Sequence, residues 1–333
     1  MEIETTDYHT AGEPFRIVTG GVPSLEGASI LDKRAFAADR LDDVRRLLIH
    51  EPRGHADMYG CFVTEPEDEG ADLGVVFFHN AGYSTACGHG TIALVTWALE
   101  SGRLDAAVLP RDHGEVRVVV DVPSGRLPTW ARLEDSRVNS VRFRNVPSFC
   151  GARGIEVAGV TADVSFGGAF YASVRAAGAG LTVEPENTGR FIVLGREVQA
   201  ALNEQGVAQH PEDDRLSGVY GVIFHEESPQ PQARVHQRNV AIFADGEVDR
   251  SPCGSGTSAR LALLHADGAI EPGEWMLHDG IVGTRFRGRI VEETDLHGHP
   301  AVVTEVEGSA HRTGEHRFVL DDDDPVGTGF LLR

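Results

Sequence analysis

One seven-residue pattern occurs twice in this chain, and it constrains the fold more than any other feature. Cys87 and Cys253 each begin a Cys-Gly-x-Gly-Thr-x-Ala pattern that runs into an apolar segment with helical spacing. The two cysteines lie about half a chain length apart in a protein of 333 residues. We therefore predict two similar halves, each presenting one thiol from a helix N-terminus to a shared cleft.

The elements around the two motifs follow the same order in each half. Strands, a helix and further strands precede the thiol loop, and a buried helix and strands follow it. Helical spacing predicts the earlier helix of each half over residues 35–50 and about 195–205. Residues 90–100 and 255–266 are predicted to be the buried helices, because they are apolar on nearly all sides. The length fits two domains. We predict an α+β protein with a first domain of residues 1–142 plus 315–333 and a second of residues 143–314.

Composition excludes several classes of partner. The formal net charge is -21, whereas nucleic acids and anionic membranes attract proteins with a basic surface. The sequence contains no apolar run of the roughly 18 residues that a membrane helix needs. Its first residues lack the basic flank and apolar run of a secretory signal. We expect a cytoplasmic protein that binds neither nucleic acid nor membrane.

Lysine and cysteine usage argues against a cofactor. Lys33 is the sole lysine and has no glycine-rich loop beside it, so a pyridoxal phosphate anchor or a nucleotide-binding lysine is not expected. The four cysteines are too widely spaced for a zinc motif. We predict no metal and no cofactor, and we interpret Cys61 and Cys150 as core thiols without chemistry.

Each motif cysteine stands where a thiol is easily activated. Backbone N–H groups and the dipole at a helix N-terminus stabilise a thiolate, and the flanking glycines let a ligand carboxylate approach the same amides. His89 is either a partner of Cys87 or a donor of backbone N–H groups. Asp249, four residues before Cys253, is either a turn former or the partner of a substrate ammonium group.

The glycines also match a looser pattern. The runs that begin at Gly88 and Gly254 read G-x-G-x-x-A, as in dinucleotide-binding loops. Neither run is followed by a convincing acidic residue at a strand end. A nucleotide site would also leave the paired cysteines unexplained, so we set this interpretation aside.

Two thiols directed at one carbon suggest racemisation by two bases. One thiolate removes an α-proton and the other thiol delivers a proton to the opposite face, so the pair titrates as a unit. A hinge near residues 142–147 would let the halves close and shield the carbanion. An alternative from another class is a non-catalytic redox switch, in which Cys87 and Cys253 form a reversible disulfide.

Several further segments complete a resemblance to the proline racemase family. They are His9-Thr-Ala-Gly-Glu-Pro, Glu51-Pro-Arg-Gly-His, Phe166-Gly-Gly and, most specifically, Asp249-Arg-Ser-Pro-Cys-Gly. The resemblance extends from about residue 8 to 285. It implies a diaminopimelate-epimerase-like fold, in which two pseudo-symmetric domains each wrap a curled sheet around a central helix.

The resemblance also implies roles for individual residues. Cys87 and Cys253 correspond to the catalytic acid/base pair, and Asp249 corresponds to the contact of the ring nitrogen. Four residues correspond to those that bind the substrate carboxylate through backbone groups: Gly88, His89, Gly254 and Ser255. The implied substrate is proline or a hydroxyproline, the implied enzyme is an isomerase without cofactor, and a homodimer is the assembly to test.

The family contains two kinds of chemistry, and this sequence has features of both. Its dehydratases of trans-3-hydroxy-L-proline typically carry threonine at the position of Cys253, and elimination needs only one base. The segments around residues 54–60, 79–85, 167–171 and 246–249 nevertheless resemble the dehydratases more than the epimerases. We favour the racemase or epimerase because of the second thiol, and keep the hydro-lyase, with Cys87 as base, as the alternative.

Overall fold

The computed structural model describes residues 1–135 and 137–332. They separate into two compact units, one of Met1–Arg142 with Ser309–Arg333 and one of Phe143–Gly308. The chain thus re-enters the first unit at 309, where the sequence predicted 315. The reason is the strand Ala310–Val319, which pairs along its length with the first strand of the chain.

The strands of the first unit form one twisted sheet. In chain order they are β1 (Glu2–Thr10), β2 (Glu13–Gly20), β3 (Tyr59–Thr64), β4 (Leu73–His79), β5 (Gly82–Tyr83), β6 (Arg111–Asp112), β7 (Glu115–Val122), β8 (Gly125–Glu134) and β9 (Arg137–Arg144), with β20 (Ala310–Val319) returning at the end. The sheet runs β20-β1-β2-β3-β4-β7-β8, with parallel pairs at β2–β3 and β4–β7.

Among its described residues the first unit has three helices: α1 (Ile30–Arg40), α2 (Asp42–Ile49) and α3 (Gly88–Glu100). The sequence predicted one helix over 35–50. The structure has two, because Leu41 ends α1 and starts α2 with a non-helical backbone. A capping box at Ser29 and Asp32 begins α1.

The strands of the second unit close into a ring. They are β10 (Ser148–Cys150), β11 (Ile155–Val157), β12 (Val160–Phe166), β13 (Phe170–Arg175), β14 (Val219–Glu227), β15 (Val235–Phe243), β16 (Glu247–Asp249), β17 (Trp275–Asp279), β18 (Arg285–Leu296) and β19 (His299–Gly308). Pairing runs β12-β13-β14-β15-β17-β18-β19-β10 and returns from β10 to β12.

Two α-helices belong to the second unit, α4 (Thr188–Glu204) and α5 (Gly254–Ala266). α5 is the central helix, since it packs against β10, β12, β13, β18 and β19. Its residues 254–264 are all buried, as are residues 88–99 of α3, which contacts β1, β2, β3, β8 and β20. Each unit therefore curls its sheet around one buried helix, as predicted.

The two units repeat one topology. In each, an antiparallel pair leads through helices to a parallel neighbour, then to an antiparallel strand and a short hairpin strand. The thiol loop and central helix follow at once, after β5 in the first unit and after β16 in the second. The predicted α+β class with two pseudo-symmetric halves is confirmed.

Within residues 1–135 and 137–332, no helix is both long enough and apolar enough to cross a membrane.

Candidate active site

The first thiol loop, residues 84–90, ends in the N-terminus of α3. Cys87 is the N-cap of this helix, with an extended backbone (φ -152°, ψ 96°). Its side chain is buried with 6% exposure. The Gly90 amide donates a hydrogen bond to Cys87 Sγ at 3.2 Å. An N–H group and the positive end of the helix dipole therefore both favour negative charge on this sulfur.

His89 lies against the same sulfur. Its Nε2 and Nδ1 atoms are 3.4 and 3.6 Å from Cys87 Sγ. The ring is held edge-on by Phe15 and Tyr59, with centroids 5.6 and 4.9 Å away. Burial lowers the pKa of His89 to about 3, so the imidazole is neutral at physiological pH. The side chain of His89 thus contacts the thiol as an uncharged polar group.

The second thiol loop, residues 249–256, presents its cysteine differently. Cys253 precedes α5 with φ 64° and ψ 105°, a region that residues other than glycine rarely adopt. Its backbone N–H donates to Ser251 Oγ at 3.1 Å, which helps to hold this conformation. The thiol is buried with 6% exposure, as Cys87 is.

Hydroxyl groups surround the second sulfur. Cys253 Sγ lies 3.6 Å from the Tyr171 hydroxyl and 4.0 Å from Ser255 Oγ. The two hydroxyls are themselves hydrogen bonded at 2.8 Å. Tyr171 is buried in β13, and burial raises the pKa of its hydroxyl well above the usual value. It therefore remains a neutral hydroxyl, which accepts a hydrogen bond from the Cys253 thiol.

Asp249 places a carboxyl group beside this thiol. It is buried and accepts a hydrogen bond from the Ser251 amide at 2.8 Å. Burial raises the pKa of Asp249 above its ordinary range. Burial, followed by the charge of Asp249, raises the pKa of the Cys253 thiol. The second sulfur is therefore held as a protonated thiol in the free protein.

A glycine makes room for each sulfur. A Cβ atom added at Gly90 would lie 2.6 Å from Cys87 Sγ, and one added at Gly256 would lie 2.9 Å from Cys253 Sγ. Both distances are too short for real side chains. The third residue after each cysteine must therefore be glycine if the sulfur is to fold back over its own helix.

The structure brings the predicted site residues together within each unit. Cys87, Gly88 and His89 occupy the start of α3. Cys253, Gly254 and Ser255 occupy the start of α5, with Asp249 at the end of the adjoining strand β16. Their roles in binding and catalysis stay predictions, to which we return below.

Two further sets of residues support the loops and were not predicted. Thr91 and Thr257 donate their hydroxyls back to the carbonyls of Cys87 and Cys253, at 2.9 and 2.8 Å. The repeat of threonine in both motifs was the available signal. The sequence gives no signal for Tyr171, because every residue from 170 to 174 is buried and the strand shows no alternation of buried and exposed residues.

The other two cysteines have no such surroundings. Cys61 is fully buried in β3, and burial raises the pKa of its thiol well above the usual value. Cys150 donates to the Ala262 carbonyl at 3.4 Å. In the part of the chain that the structure describes, histidine, cysteine and carboxylate side chains form no group of three or more placed to hold a metal ion.

Comparison with known proteins agrees with this arrangement. The family profile described as proline racemase matches residues 5–331. A 3-hydroxyproline 2-epimerase of Burkholderia multivorans is 44% identical over 336 residues, which cover 99% of this chain and 98% of the relative. A trans-3-hydroxy-L-proline dehydratase of Bacillus cereus is 42% identical over 333 residues, which cover 98% and 97%.

A solved structure shows the same fold. The hydroxyproline epimerase from Agrobacterium vitis, with bound trans-4-hydroxy-L-proline, superimposes with a TM-score of 0.88 at 30% identity. The match covers 99% of this chain and 96% of the epimerase. It confirms the fold class predicted from the sequence.

Proposed function

This chain belongs to the proline racemase family, and we propose that it is a cofactor-independent racemase or 2-epimerase of proline or a hydroxyproline. The enzyme would be an isomerase that inverts the α-carbon of an imino acid. Cys87 and Cys253 would act as the acid/base pair. The 3-hydroxyproline 2-epimerase and the hydroxyproline epimerase to which the chain is similar support this substrate class.

The observation that carries the proposal is the second thiol. Both central helices begin directly after a buried cysteine, and each sulfur has polar partners within 4.0 Å. Inversion requires a base on one face of the α-carbon and an acid on the other. Elimination of water requires a base on one face only, so it gives Cys253 no role.

In the proposed reaction the protons balance between the two sulfurs. The Cys87 thiolate takes the α-proton and becomes a thiol, leaving a planar carbanion at the α-carbon. The Cys253 thiol gives its proton to the opposite face and becomes a thiolate. The reverse direction exchanges these roles, so the two directions start from enzyme forms with the proton on opposite sulfurs.

Binding groups would lower the barrier for so weak a carbon acid. Backbone N–H groups at the starts of α3 and α5, in Gly88, His89, Gly254 and Ser255, would hold the substrate carboxylate and the charge that develops on it. Asp249 would receive the ring ammonium. A buried carboxylate gains more from such a partner than an exposed one, because the local dielectric is low.

Proton exchange from solvent tests this proposal. Purified protein is incubated in D2O with L-proline and with trans-3- and trans-4-hydroxy-L-proline, without added pyridoxal phosphate. We expect α-deuterium in the product and the opposite α-epimer of at least one substrate. If neither appears with any of them, the racemase or epimerase assignment is wrong.

Dehydration of trans-3-hydroxy-L-proline is the second candidate function. The 42% identity to the Bacillus cereus dehydratase favours it, as do the dehydratase-like segments noted in the sequence. Cys87 would then remove the α-proton and deliver it to the departing 3-hydroxyl, which leaves as water with its C–O electron pair and regenerates the Cys87 thiolate, while the α-carbon electron pair forms the ring double bond. The same incubation, followed by detection of the unsaturated ring product, distinguishes the two reactions.

A further inference from the structure

A polar cavity of about 510 Å³ lies in the second unit, away from the second thiol loop. It is bordered by β12, β13, β14, β15 and the far half of α5. Arg260 of α5 is seven residues beyond Cys253, which corresponds to about 10 Å along a helix. The cavity is therefore a separate place on the same helix, large enough for a small metabolite.

Arg260 is the unusual group in this cavity. Arg260 is buried, with 6% exposure. Its guanidinium nevertheless donates to a neutral acceptor, the amide oxygen of Gln237, at 3.2 and 3.4 Å. Among the described residues it has no carboxylate within ion-pair distance. A buried cation without a counter-ion is destabilising, and burial lowers the pKa of Arg260 to about 10.

The fold itself does not require a charge at this position. When the two central helices are aligned on their cysteines, Arg260 corresponds to Leu94 of α3, which is fully buried. The corresponding helix of the first unit, in the same type of curled sheet, therefore packs with an apolar side chain at this position. The arginine is thus an addition of the second unit.

Two further polar groups in the cavity have unused hydrogen-bonding capacity. Ser173 Oγ and His225 Nδ1 are buried and have no hydrogen-bond partner in the structure. Both residues line the cavity. Arg175, which is exposed, lies at the edge of the same cavity, and its charge acts on both Arg260 and His225.

The acidic groups around the cavity already have partners. Asp163 and Asp267 pair with Arg153 at 3.2 and 2.9 Å. Glu227 accepts from the amide of Gln237 at 2.8 Å, and Glu156 accepts from the Thr161 hydroxyl at 2.7 Å. Glu156, Glu227 and Asp267 are exposed and Asp163 is half-buried, so solvent screens the negative charges of the lining. Arg260 is the buried charge of the cavity.

We propose that this cavity is a second binding site, separate from the thiol loops, for the carboxylate or phosphate group of a small metabolite. The guanidinium of Arg260 would form charge-assisted hydrogen bonds to the oxyanion. The Ser173 hydroxyl and the His225 ring would supply further hydrogen bonds, and Arg175 would close the site from its edge. The ligand would neutralise the buried charge and complete the unused hydrogen bonds.

Calorimetric titration of the full-length protein tests this site. Sodium phosphate and sodium acetate are titrated separately at constant ionic strength, with and without pyrrole-2-carboxylate, a planar analogue of the proposed carbanion. We expect saturable binding of at least one anion. Binding of phosphate alone identifies a phosphate site, and binding of acetate alone identifies a carboxylate site. If neither anion saturates, the cavity holds only water and the proposal is wrong.

Variants locate the bound anion. Arg260→Leu reproduces the residue of the first unit, and Arg175→Ala removes the charge at the edge; each should weaken binding by about tenfold or more. Arg190→Ala, an exposed arginine of α4, is the charge-matched control and should leave the affinity unchanged. Equal affinity in all four proteins would overturn the proposal.

Two measurements keep the test decisive if Arg260→Leu does not fold. Arg175→Ala alters an exposed side chain and provides the affinity change by itself. In the wild-type protein, the NMR signals of the His225 ring should shift in step with anion saturation. An anion that pyrrole-2-carboxylate displaces, with no shift at His225, would lie at the thiol loops and would contradict the second site.

Discussion

The two thiol loops share one sequence pattern but hold their sulfurs in different surroundings. Cys87 has an extended backbone, an amide donor and a neutral imidazole next to it. Cys253 has a positive φ, two hydroxyl groups and the carboxyl group of Asp249 nearby. Similar backbone topology has therefore been combined with different polar neighbours of the two sulfurs.

This difference suggests a division of labour in the resting protein. Both sulfurs are buried at a helix N-terminus with a backbone N–H donor, but the charge of Asp249 acts on Cys253 and favours its protonated thiol. A racemase needs one sulfur in each state. On this view, the asymmetry sets which sulfur starts as base, and the shared pattern lets the roles be exchanged after each turnover.

The largest expected effect comes from removing the second sulfur. Cys253→Ser should reduce racemisation by about 10²–10⁴-fold in both directions, because an alcohol is a far weaker acid than a thiol. Cys87→Ser should do the same. Activity is followed by polarimetry from the L and D sides. Cys150→Ser, a change at a thiol outside both loops, is the control.

Dehydration provides the contrasting result for the same variants. A dehydratase that uses Cys87 alone should keep most of its activity on trans-3-hydroxy-L-proline in Cys253→Ser and lose it in Cys87→Ser. That outcome, with no epimerisation by the wild-type protein, would show that the two loops are not functionally equivalent.

Asp249→Asn should have the next largest effect, because it removes the charge that distinguishes the second loop. We expect kcat/KM to fall by about tenfold or more, since a charged hydrogen bond to the substrate ammonium is lost. The wild-type kcat/KM should decline with acid at a pH above the ordinary carboxyl range of about 4, because burial raises the pKa of Asp249.

The pH profile and the stability check this prediction. The decline of kcat/KM at low pH should disappear in Asp249→Asn. It should persist in Asp245→Asn, because Asp245 is an exposed carboxylate on the same hairpin. For a carboxyl group whose pKa is raised on folding, stability falls as pH rises from the unfolded to the folded pKa. Asp249→Asn should remove that fall. If the low-pH decline is unchanged in Asp249→Asn, another group causes it.

His89→Ser should have a smaller effect. The substitution gives the first motif the same residue as the second motif at this position. The variant replaces a neutral ring next to Cys87 by the residue found at the same place in the second motif. We expect kcat to fall up to about tenfold, as for one lost hydrogen bond. The pH profile between 5 and 8 should keep its shape, because the pKa of His89 lies at about 3. If His89→Ser removes a rise or fall of kcat between pH 5 and 8, His89 titrates during turnover.

Tyr171→Phe should have the smallest effect of the series. It removes one hydroxyl at 3.6 Å from Cys253 Sγ and leaves Ser255 Oγ in place. A severalfold loss of kcat is expected, with both directions affected. Tyr83→Phe, which removes a hydroxyl bonded to the Ala37 carbonyl in the first unit, should leave kcat unchanged. A loss as large as that of Cys253→Ser would make Tyr171 a participant in proton transfer.

The repeated motif made much of the fold predictable from the sequence. Helices predicted at 90–100 and 255–266 begin at Gly88 and Gly254 in the structure. They were recognisable because a segment that is apolar on all sides must be buried, whatever its partners. The helix predicted at 195–205 instead begins at Thr188.

The start of that helix was missed for a physical reason. Two glycines, Gly189 and Gly195, lower helix propensity, yet a Cβ at Gly195 would lie 2.8 Å from Ile242. The second glycine therefore serves close packing of α4 on the sheet. Contacts across the sheet, like the position of Tyr171 beside Cys253, depend on register and cannot be read from local periodicity.

The backbone of Cys253 bears on how this family could diverge. Threonine, the residue typical of the dehydratase branch here, is β-branched and is especially disfavoured at a positive φ such as 64°. A single codon change at this position would therefore introduce conformational strain as well as a new functional group. An evolutionary route between the two chemistries would therefore have to accommodate this strain in the turn that Ser251 holds by accepting a hydrogen bond from the residue 253 amide.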